Sequence, residues 1–279
     1  MPFKKCICIL VLYNPPLGIE SRVIKLLDTF EFVYVWDNSA HKNPEIEKIA
    51  LTGNRLDYEC SGDNIGLAKA YNKGIDFAIK KGFEYYMTLD QDSNFSNLKL
   101  FVEYSLKLLN DRECIIGPNP FSCENIIDNS KLLPVDWVIN SGLFTKISIA
   151  NKIGNYNEHF FVDGVDMEFC LRASSLGIFS FYYLGCNIIQ NYGIPQYITL
   201  FNRKIHYNGY KPERICSILS THLYLYRVYK KKHLIRDFKH FVRLAIRAII
   251  LCPHQKIARI KALFTGIFYG INCKINNCG

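Results

Sequence analysis

Two neighbouring segments of the chain constrain the fold more than any others. Residues 63–74 join a polar turn that contains Gly66 to a helical pattern, and residues 85–93 form an apolar run that ends in Asp90 and Asp92. An apolar strand that follows a helix and ends in carboxylates is typical of the carboxyl edge of a parallel sheet, where ligands bind. The combination suits a nucleotide diphosphate and its divalent ion.

Strand and helix patterns alternate through residues 1–110. Short runs rich in β-branched and aromatic residues predict strands at residues 5–13, 32–36 and 85–89. Apolar residues at helical spacing predict helices at residues 19–27, 67–80 and 98–109. This alternation predicts an α/β fold, in which a mainly parallel sheet carries helices on both faces. Asn14, Asp37 and Asp90 would then follow the carboxyl ends of strands.

The composition is that of a globular protein. With 279 residues, 49% of them hydrophobic and 21% charged, the chain can bury one large core, or a core with an appendage. Residues 1–16 superficially resemble a secretory signal, but the apolar run is short and lacks a small-residue cleavage site, so we expect a buried first strand there. Nowhere do roughly 18 apolar residues follow one another, as a membrane-spanning helix requires.

Eleven cysteines are scattered along the chain, without a pair of CxxC motifs. Structural zinc sites use closely spaced ligand pairs, and disulfide frameworks are typical of secreted chains. We therefore expect reduced thiols that serve mostly as small core residues.

Six blocks of the sequence, in order, are similar to the signature blocks of family two glycosyltransferases. The blocks are residues 12–14, 36–39, 64–68 with 72–74, 89–93, 140–142 and 161–172. The Leu-Asp-Gln-Asp-Ser block at residues 89–93 and the block at residues 165–172 look most like the bacterial rhamnosyltransferase branch. The resemblance covers residues 5–195, and several ordered blocks are far more specific than any one of them.

This resemblance implies a GT-A fold, which is Rossmann-like, for a catalytic domain of residues 1–200, followed by a basic helical C-terminal extension of residues 201–279. It implies an inverting glycosyltransferase that moves a sugar, L-rhamnose, from a dTDP or UDP donor to a saccharide acceptor in bacterial surface polysaccharide synthesis. A lipid-linked saccharide is one candidate acceptor. Two alternatives stay open: another donor sugar, hexose or furanose, and a catalytically silent protein that binds nucleotide sugar or glycan at the membrane.

The resemblance also assigns the donor site residue by residue. The residues implied to bind the donor are Tyr13, Asn14, Asp37, Asn64, Gly66, Asp90, Ser141 and Gly142. Asp92, together with Asp90, would hold Mg²⁺ or Mn²⁺ against the diphosphate, because a cation there stabilises the charge that develops as the bond to the sugar breaks. For residues 37–39, a simple polar turn is the alternative interpretation.

The general base implied by the resemblance is a carboxylate of the block at residues 161–172. Asp166 is the first choice and Asp163 the second, and their spacing predicts that both share a face on the first turn of a helix. The alternative is that these acids only complement the helix dipole. Arg172 could pair with either acid. Relatives commonly carry a metal-binding His where this chain has Gln190, which weakens the expectation of metal dependence.

Nearly all the excess positive charge lies near the C-terminus. Residues 227–261 contain eleven Lys or Arg and one acid, Asp237, in a chain whose net charge is +9. Residues 234–249 predict an amphipathic basic helix, ended by Pro253, whose apolar side either lies in a membrane surface or packs on the catalytic domain. Without a recognised module beside the charge, we do not expect nucleic acid as a partner. We expect a cytoplasmic protein, which the membrane interpretation would place peripherally on the inner face of the cell membrane.

Overall fold

The computed structural model describes residues 2–121, 132–189, 196–200, 203–207, 209–252 and 254–272. The chain divides into two compact units. The first unit is Met1–Phe161 with Val165–Asn191, and the second is Val162–Gly164 with Tyr192–Gly279. Gln190, Pro253, Cys123, Cys273 and Cys278 lie outside the described residues, so the predictions that concern them stay predictions.

The first unit is an α/β structure built on one mixed sheet. Its strands are β1 (Phe3–Leu12), β2 (Phe30–Asp37), β3 (Leu56–Cys60), β4 (Tyr85–Asp90), β5 (Asn94–Phe95), β6 (Cys114–Asn119), β7 (Leu132–Val135), β8 (Phe144–Lys146) and β9 (Phe179–Ile189). Its helices are α1 (Ile19–Leu27), α2 (Pro44–Thr52), α3 (Leu67–Lys81), α4 (Leu98–Asp111), α5 (Ile147–Ile153) and α6 (Val165–Ser175). Within the described residues, the sheet order is β3-β2-β1-β4-β8-β6-β9-β5, with β7 paired to β9.

Most of this sheet is parallel. β1, β2, β3, β4, β6 and β9 run in one direction, whereas β5, β7 and β8 run against them. The predicted mainly parallel α/β fold is therefore confirmed. The three antiparallel strands are short and pair with partners far away in sequence, so local periodicity does not predict them.

The register around β1 sets the position of the polar strand ends. In the parallel ladders, Leu12 lies opposite Asp37 of β2, and Val11 lies opposite Asp90 of β4. The chain leaves β1 towards β2 on one side and later adds β4 on the other side, so the ends of β1 and β4 flank the switch point of the sheet. The prediction that polar residues follow the carboxyl ends of these strands is confirmed.

Local periodicity predicts neither α2 nor β3, which have few buried apolar residues. The side-chain oxygen of Asn43 caps α2 by accepting hydrogen bonds from the N–H groups of Glu45 and Ile46, each at 3.1 Å. Pro44 occupies the first turn, where its missing N–H costs no hydrogen bond. Capping chemistry, more than hydrophobic periodicity, therefore defines this helix.

Helix α3 packs closely on the central strand β1. A Cβ atom added at Gly74 would lie 2.4 Å from Cγ2 of Ile9, which no real side chain tolerates. Gly82 ends the helix in the left-handed conformation, with φ +76°. Because Gly74 has no side chain, α3 packs directly on β1. The first residues of α3 lie at the sheet edge where the polar loops meet.

The second unit is a hairpin followed by three helices. The elements are β10 (Gln196–Leu200), β11 (Arg203–Tyr207), α7 (Pro212–Tyr229), α8 (Lys232–Leu251) and α9 (Lys256–Ile271). Its buried core cluster contains Ile215, Cys216, Leu219, Ala245 and Ala262. His222 of α7 stacks on Phe241 of α8, with ring centroids 4.4 Å apart. Burial lowers the pKa of His222 to about 4, so its ring is neutral at physiological pH.

The predicted basic amphipathic helix is present as α8, and its apolar side is already covered. Leu234, Ala245 and Ala248 are buried, while Phe238 and Phe241 pack against the core of the second unit. The interpretation in which this apolar side lies in a membrane is therefore wrong, because the protein's own core occupies it.

Six buried cysteines carry free thiols: Cys6, Cys8, Cys114, Cys170, Cys186 and Cys252. Cys60 is a half-buried free thiol, whereas Cys216 is disulfide-bonded. The predicted use of cysteine as a small reduced core residue thus describes most of the cysteines in the described ranges, but not Cys216. None of the helices in these ranges combines the length and the apolar character that crossing a bilayer demands.

Replacing Gly74 with Val should lower the free energy of unfolding of the first unit by about 2 kcal/mol, because the added methyl groups overpack the contact with Ile9. Both tryptophans, Trp36 and Trp137, lie in this unit, so urea unfolding followed by tryptophan fluorescence reports on it. Lys73→Ala, at the exposed neighbouring position, is the control and should change little. An unchanged unfolding midpoint for Gly74→Val would contradict the close packing.

Candidate active site

The candidate site lies where the loops after β1 and β4 meet. Gln91, directly after β4, holds the two loops together: its side-chain oxygen accepts from the N–H of Tyr13 at 2.9 Å, and its amide nitrogen donates to the carbonyl of Tyr13 at 3.1 Å. Asn14 has φ +46° and donates its N–H to Oγ of Ser39 at 2.7 Å. Tyr13 itself is 54% exposed, so its ring is accessible to a ligand.

Asp37 is buried and forms a junction between the loop after β2 and strand β3. One carboxylate oxygen accepts the N–H of Ser39 at 2.9 Å, and the other accepts the hydroxyl of Tyr58 at 2.8 Å. Asn38 continues the junction, since its side-chain oxygen accepts from the N–H of Ile65 at 3.1 Å. Residues 37–39 are therefore more than a simple turn. Because Asp37 is fully buried, its contact with a donor stays a prediction.

The turn before α3 is closed by its own side chains and by a distant loop. The side-chain oxygen of Asn64 accepts from the N–H of Gly66 at 3.0 Å. Gly66 has φ +87°, and a Cβ there would lie 2.9 Å from the carbonyl oxygen of Phe161. That oxygen accepts the N–H of Leu67 at 2.6 Å. Gly66 thus permits a close backbone contact, while the exposed Asn64 stays accessible to solvent.

Arg22 of α1 organises the turn that carries Asp90 and Asp92. Its guanidinium donates to the carbonyl of Ser93, and lies 3.4 Å from the carbonyl oxygen of Asp90. Burial lowers the pKa of Arg22, and the neighbouring charges of Asp92 and Asp90 oppose that shift. The carboxylate of Asp92 is exposed beside this cation. Arg22 therefore fixes the backbone of the turn and supplies positive charge next to both acids.

Ser141 and Gly142 join this turn to the loop before β8. Oγ of Ser141 accepts the N–H of Asp90 at 3.1 Å and is hydrogen-bonded to Oγ of Ser93. Gly142 has φ +95°, and a Cβ there would lie 2.7 Å from Cδ of Pro118. Both residues therefore hold the backbone around Asp90, and their contact with a donor sugar stays a prediction.

Asp90 and Asp166 lie close enough to interact electrostatically. The hydroxyl of Tyr71 donates to Oδ1 of Asp90 at 2.8 Å. Asp166 accepts hydrogen bonds from the N–H groups of Asn140 at 3.3 Å and of Met167 at 2.8 Å. The structure thus gathers two of the predicted acids at the carboxyl edge of the sheet.

The carboxyl group of Asp166 has a strongly shifted pKa. Burial raises its pKa to about 6, backbone hydrogen bonds oppose this shift, and the charge of Asp90 adds to it. One edge of the residue still reaches solvent. A largely buried carboxylate whose pKa lies near neutrality has the properties of a general base.

Asp163 does not share a helical face with Asp166, so that prediction is wrong. Helix α6 begins at Val165, and Asp163 belongs to the second unit. Its carboxylate accepts the hydroxyl of Ser217 at 2.9 Å and lies 3.6 Å from the guanidinium of Arg214. Burial raises its pKa, and the charge of Arg214 opposes the shift. These contacts tie the carboxylate of Asp163 to the second unit, and its part in catalysis stays a prediction.

Arg172 pairs with neither Asp163 nor Asp166. It forms a two-pronged ion pair with Glu168, with both N–O distances at 2.9 Å. Its guanidinium also donates to the carbonyl of Asn155 at 2.7 Å and to that of Ile153. Arg172 therefore anchors the loop between α5 and α6, and Glu168 is its buried counter-ion.

The described residues contain no cluster of three or more His, Cys, Asp or Glu side chains that could hold a metal ion by themselves. Mg²⁺ and Mn²⁺ do not require such a cluster, because they commonly take one or two carboxylates and complete their shell with phosphate oxygens and water. Asp92 and Asp90 are hard oxygen donors on one ordered turn, so the residues present fit a divalent ion shared with a phosphate ligand.

Arg22 and Tyr71 contribute to the site, although the sequence-based prediction does not include them. Gln91 lies within the predicted block at residues 89–93, but the block does not reveal its contact with Tyr13. All three contact partners far away in the sequence, so no local motif predicts these contacts. A weak signal exists for Arg22, which is a lone basic residue between the buried Ile19 and Val23 on α1. Tyr71 lies on the buried face of α3 and looks like an ordinary core residue in the sequence.

Comparison with known proteins gives one informative sequence match and one informative structural match. A dTDP-rhamnosyl transferase, RfbF from Shigella flexneri, is 27% identical over 275 aligned residues, which cover 87% of this chain and 83% of the relative. The crystal structure of GalNAc-T7 with UDP, GalNAc and Mn²⁺ matches with a TM-score of 0.60 and 13% identity. That match covers 96% of this chain, which spans 56% of that structure's length. No family model matches the chain.

The sheet topology and the structural match show a GT-A fold. The sequence match to a dTDP-rhamnosyl transferase supports glycosyltransferase activity. The ordered sequence blocks and the sequence match make the chain similar to a dTDP-rhamnosyl transferase over most of its length. The resemblance found in the sequence is thus confirmed.

The raised pKa of Asp166 predicts a pH-dependent cost to stability. The folded state holds this proton more tightly than the unfolded state, whose pKa is near 3.8, so the cost of ionisation appears as the pH rises from about 4 to about 6 and is complete above that. The melting temperature of Asp166→Asn minus that of wild type should therefore be larger at pH 8 than at pH 4. Asp111→Asn, at an exposed position, is the control. An equal difference at both pH values would contradict the shifted pKa.

Proposed function

We propose that the enzyme transfers L-rhamnose, with inversion at the anomeric carbon, from a dTDP-linked donor to a hydroxyl of a saccharide. The single observation that carries the chemistry is the pair of acids Asp90 and Asp166 at the switch point, with the pKa of Asp166 raised to about 6. The match to a dTDP-rhamnosyl transferase supports the donor. UDP is the second candidate nucleotide, and another hexose or a furanose is the alternative sugar.

Exposure separates the residues that would touch the donor from those that position them. Tyr13, Asn64 and Asp92 are exposed at the loop ends, so we assign base, ribose and diphosphate contacts to them. Asp37 and Ser141 are buried and hydrogen-bonded within the protein. We assign them a positioning role, because each fixes the backbone from which the exposed residues project.

Asp92 and Asp90 would hold a divalent ion, Mg²⁺ or Mn²⁺, against the diphosphate. When bound there, such an ion supplies positive charge that offsets the charge developing on the departing diphosphate. Arg22 lies on the same side of the turn and adds a fixed positive charge near both acids. Because the guanidinium is held by backbone carbonyls, we propose that it keeps the turn in place when the ion is absent.

Asp166 would act as the general base. The acceptor hydroxyl gives its proton to the Asp166 carboxylate as its oxygen forms the new bond to the anomeric carbon, and the bond from that carbon to the diphosphate breaks with its electron pair. Burial supports this assignment, since a pKa of about 6 leaves the carboxylate ionised at neutral pH yet more basic than an ordinary aspartate. Asp163 has no assigned part, because Ser217 and Arg214 engage its carboxylate.

Asn140 could help to place the acceptor. Its backbone N–H binds Asp166, and its side-chain oxygen is buried without a hydrogen-bond partner among the described residues. A buried polar atom left without a partner costs free energy, which a donor group of a ligand would recover. We propose that an acceptor hydroxyl, or a water that it orders, supplies this donor.

The proposed acceptor and the proposed location rest on the charge of the second unit rather than on the first unit. We propose a saccharide acceptor carried on a lipid, as in bacterial surface polysaccharide synthesis, and therefore a cytoplasmic enzyme that works peripherally at the inner face of the cell membrane. The excess of basic residues in the second unit supports this proposal, because anionic headgroups attract such charge.

Incubation of the purified chain with dTDP-L-rhamnose, UDP-sugars and a saccharide acceptor tests the function. We expect turnover with the rhamnose donor, and kcat/KM that rises with pH to about 6 and then levels, because only ionised Asp166 accepts the proton. Asp166→Asn should lower kcat by about 10²–10⁴ and abolish the rising limb.

Asp163→Asn is the matched control, since its carboxylate is engaged by the second unit, and its kcat should fall far less. Binding of nucleotide sugar without turnover by any donor would favour the catalytically silent alternative. An unchanged pH profile in Asp166→Asn would contradict the assignment of the base.

The metal assignment predicts the effect of Asp92→Asn. Losing one carboxylate should raise the Mn²⁺ concentration for half-maximal activity by on the order of tenfold, because the ion keeps only Asp90 and the phosphates. Titrating Mn²⁺ and Mg²⁺ in the transfer assay measures this, with Asp111→Asn as the control. The same Mn²⁺ dependence in wild type and Asp92→Asn would remove Asp92 from the site.

A further inference from the structure

One face of helix α9 packs closely inside the second unit. A Cβ added at Gly266 would lie 2.7 Å from the carbonyl oxygen of Cys216, and one added at Gly270 would lie 3.0 Å from that of Ser220. Ala262 and Arg259 on the same face are also buried. This small-residue face packs against α7 and has no room for another partner.

The opposite face of α9 carries a stripe of exposed apolar side chains. We call this the α9 stripe; its members are Ile257, Ile260, Phe264, Phe268 and Ile271, which are 74%, 42%, 66%, 59% and 51% exposed. They follow one another at spacings of three or four residues, so they form one line along the helix. Isolated exposed apolar residues need no explanation, but a continuous line of them marks an interaction surface.

Positive charge borders the α9 stripe on both sides. At 100° per residue, Lys256 and Lys261 fall on opposite flanks of the stripe, and both are exposed. Helix α9 contains no acidic residue. Long lysine side chains in such positions can extend past buried apolar groups and keep their ammonium groups in water.

The exposed face of α8 has the same character. Ile246 and Ile250 are 45% and 64% exposed, and with Arg243, Arg247 and Leu251 they line one open depression. Cations and apolar side chains thus alternate on the outer surfaces of both helices.

We propose that the α9 stripe docks the enzyme on an anionic phospholipid bilayer, with the outer face of α8 adding positive charge. A helix with an apolar line and flanking lysines can bury the line at the acyl boundary and place the ammonium groups among the headgroups. A second copy of the chain fits less well. Self-association through the stripe would bring lysines against lysines, with no acid on α9 to pair them. The inference deepens the proposed function, on which it rests, by naming the surface that would bind the bilayer in which a lipid-linked acceptor is anchored.

Sedimentation of the full chain with vesicles tests this proposal. We expect binding to vesicles of equal parts phosphatidylglycerol and phosphatidylcholine, weaker binding at high salt, and little binding to phosphatidylcholine alone. Phe264→Ser combined with Phe268→Ser should weaken binding by about tenfold or more, because two exposed rings can no longer be buried. Lys256→Glu combined with Lys261→Glu should weaken it only on the anionic vesicles.

The control removes two exposed apolar side chains from the first unit, as Leu51→Ser with Phe179→Ser, and should bind like wild type. Phe264→Leu with Phe268→Leu should keep most of the affinity. Sedimentation of the Phe264→Ser, Phe268→Ser variant equal to wild type would overturn the proposal. A dimer in solution that these same substitutions dissociate would also overturn it, in favour of a second copy.

Transfer to a water-soluble acceptor separates the two proposals. The Phe264→Ser, Phe268→Ser variant should keep wild-type turnover with that acceptor while it loses vesicle binding. A wild-type chain that binds vesicles but transfers no sugar would contradict the proposed function and leave the docking surface intact.

Discussion

The parallel register of β1 with β2 and β4 is the constraint on which the candidate site depends. This register places Asp37 of β2 and Asp90 of β4 on either side of the last residues of β1. A slip of one residue would turn every side chain of a strand to the opposite face. Because β1 is buried on both faces, such a slip would move residues such as Ile7 and Leu10 out of the sites into which they now pack. The hydrophobic core therefore also fixes the positions of the acids.

Two kinds of polar residue follow from this geometry. Asp37 has both carboxylate oxygens bonded inside the protein, so it stiffens the loops in which it lies. Among the described residues, Asp166 accepts hydrogen bonds from backbone N–H groups and lies near a second acid, and burial is the largest cause of its raised pKa. A carboxylate whose pKa is raised towards neutrality can accept a proton at neutral pH. That difference, more than mere proximity, separates a scaffold acid from a candidate base.

The sequence predicts the architecture better than it predicts the contacts within the site. Apolar runs such as β1 and β4 are visible locally, because burial on both faces leaves a continuous hydrophobic pattern. Arg22, by contrast, lies 68 residues from Asp90 in the chain, and only the fold brings the two together. Asp163 shows the opposite error. It lies three residues before Asp166 in sequence, yet its side-chain partners are in the second unit.

The second unit shows why helical periodicity alone cannot tell what an apolar face contacts. In α8 the apolar side looks free in the sequence, but Phe241 stacks on His222 and the side is covered. In α9 large apolar residues occur around much of the helix, and the glycines are the more informative residues. Gly266 and Gly270 mark where another helix approaches closely, since only a residue without a side chain fits there. The large side chains on the opposite face are exposed among the described residues, and they form the proposed docking surface.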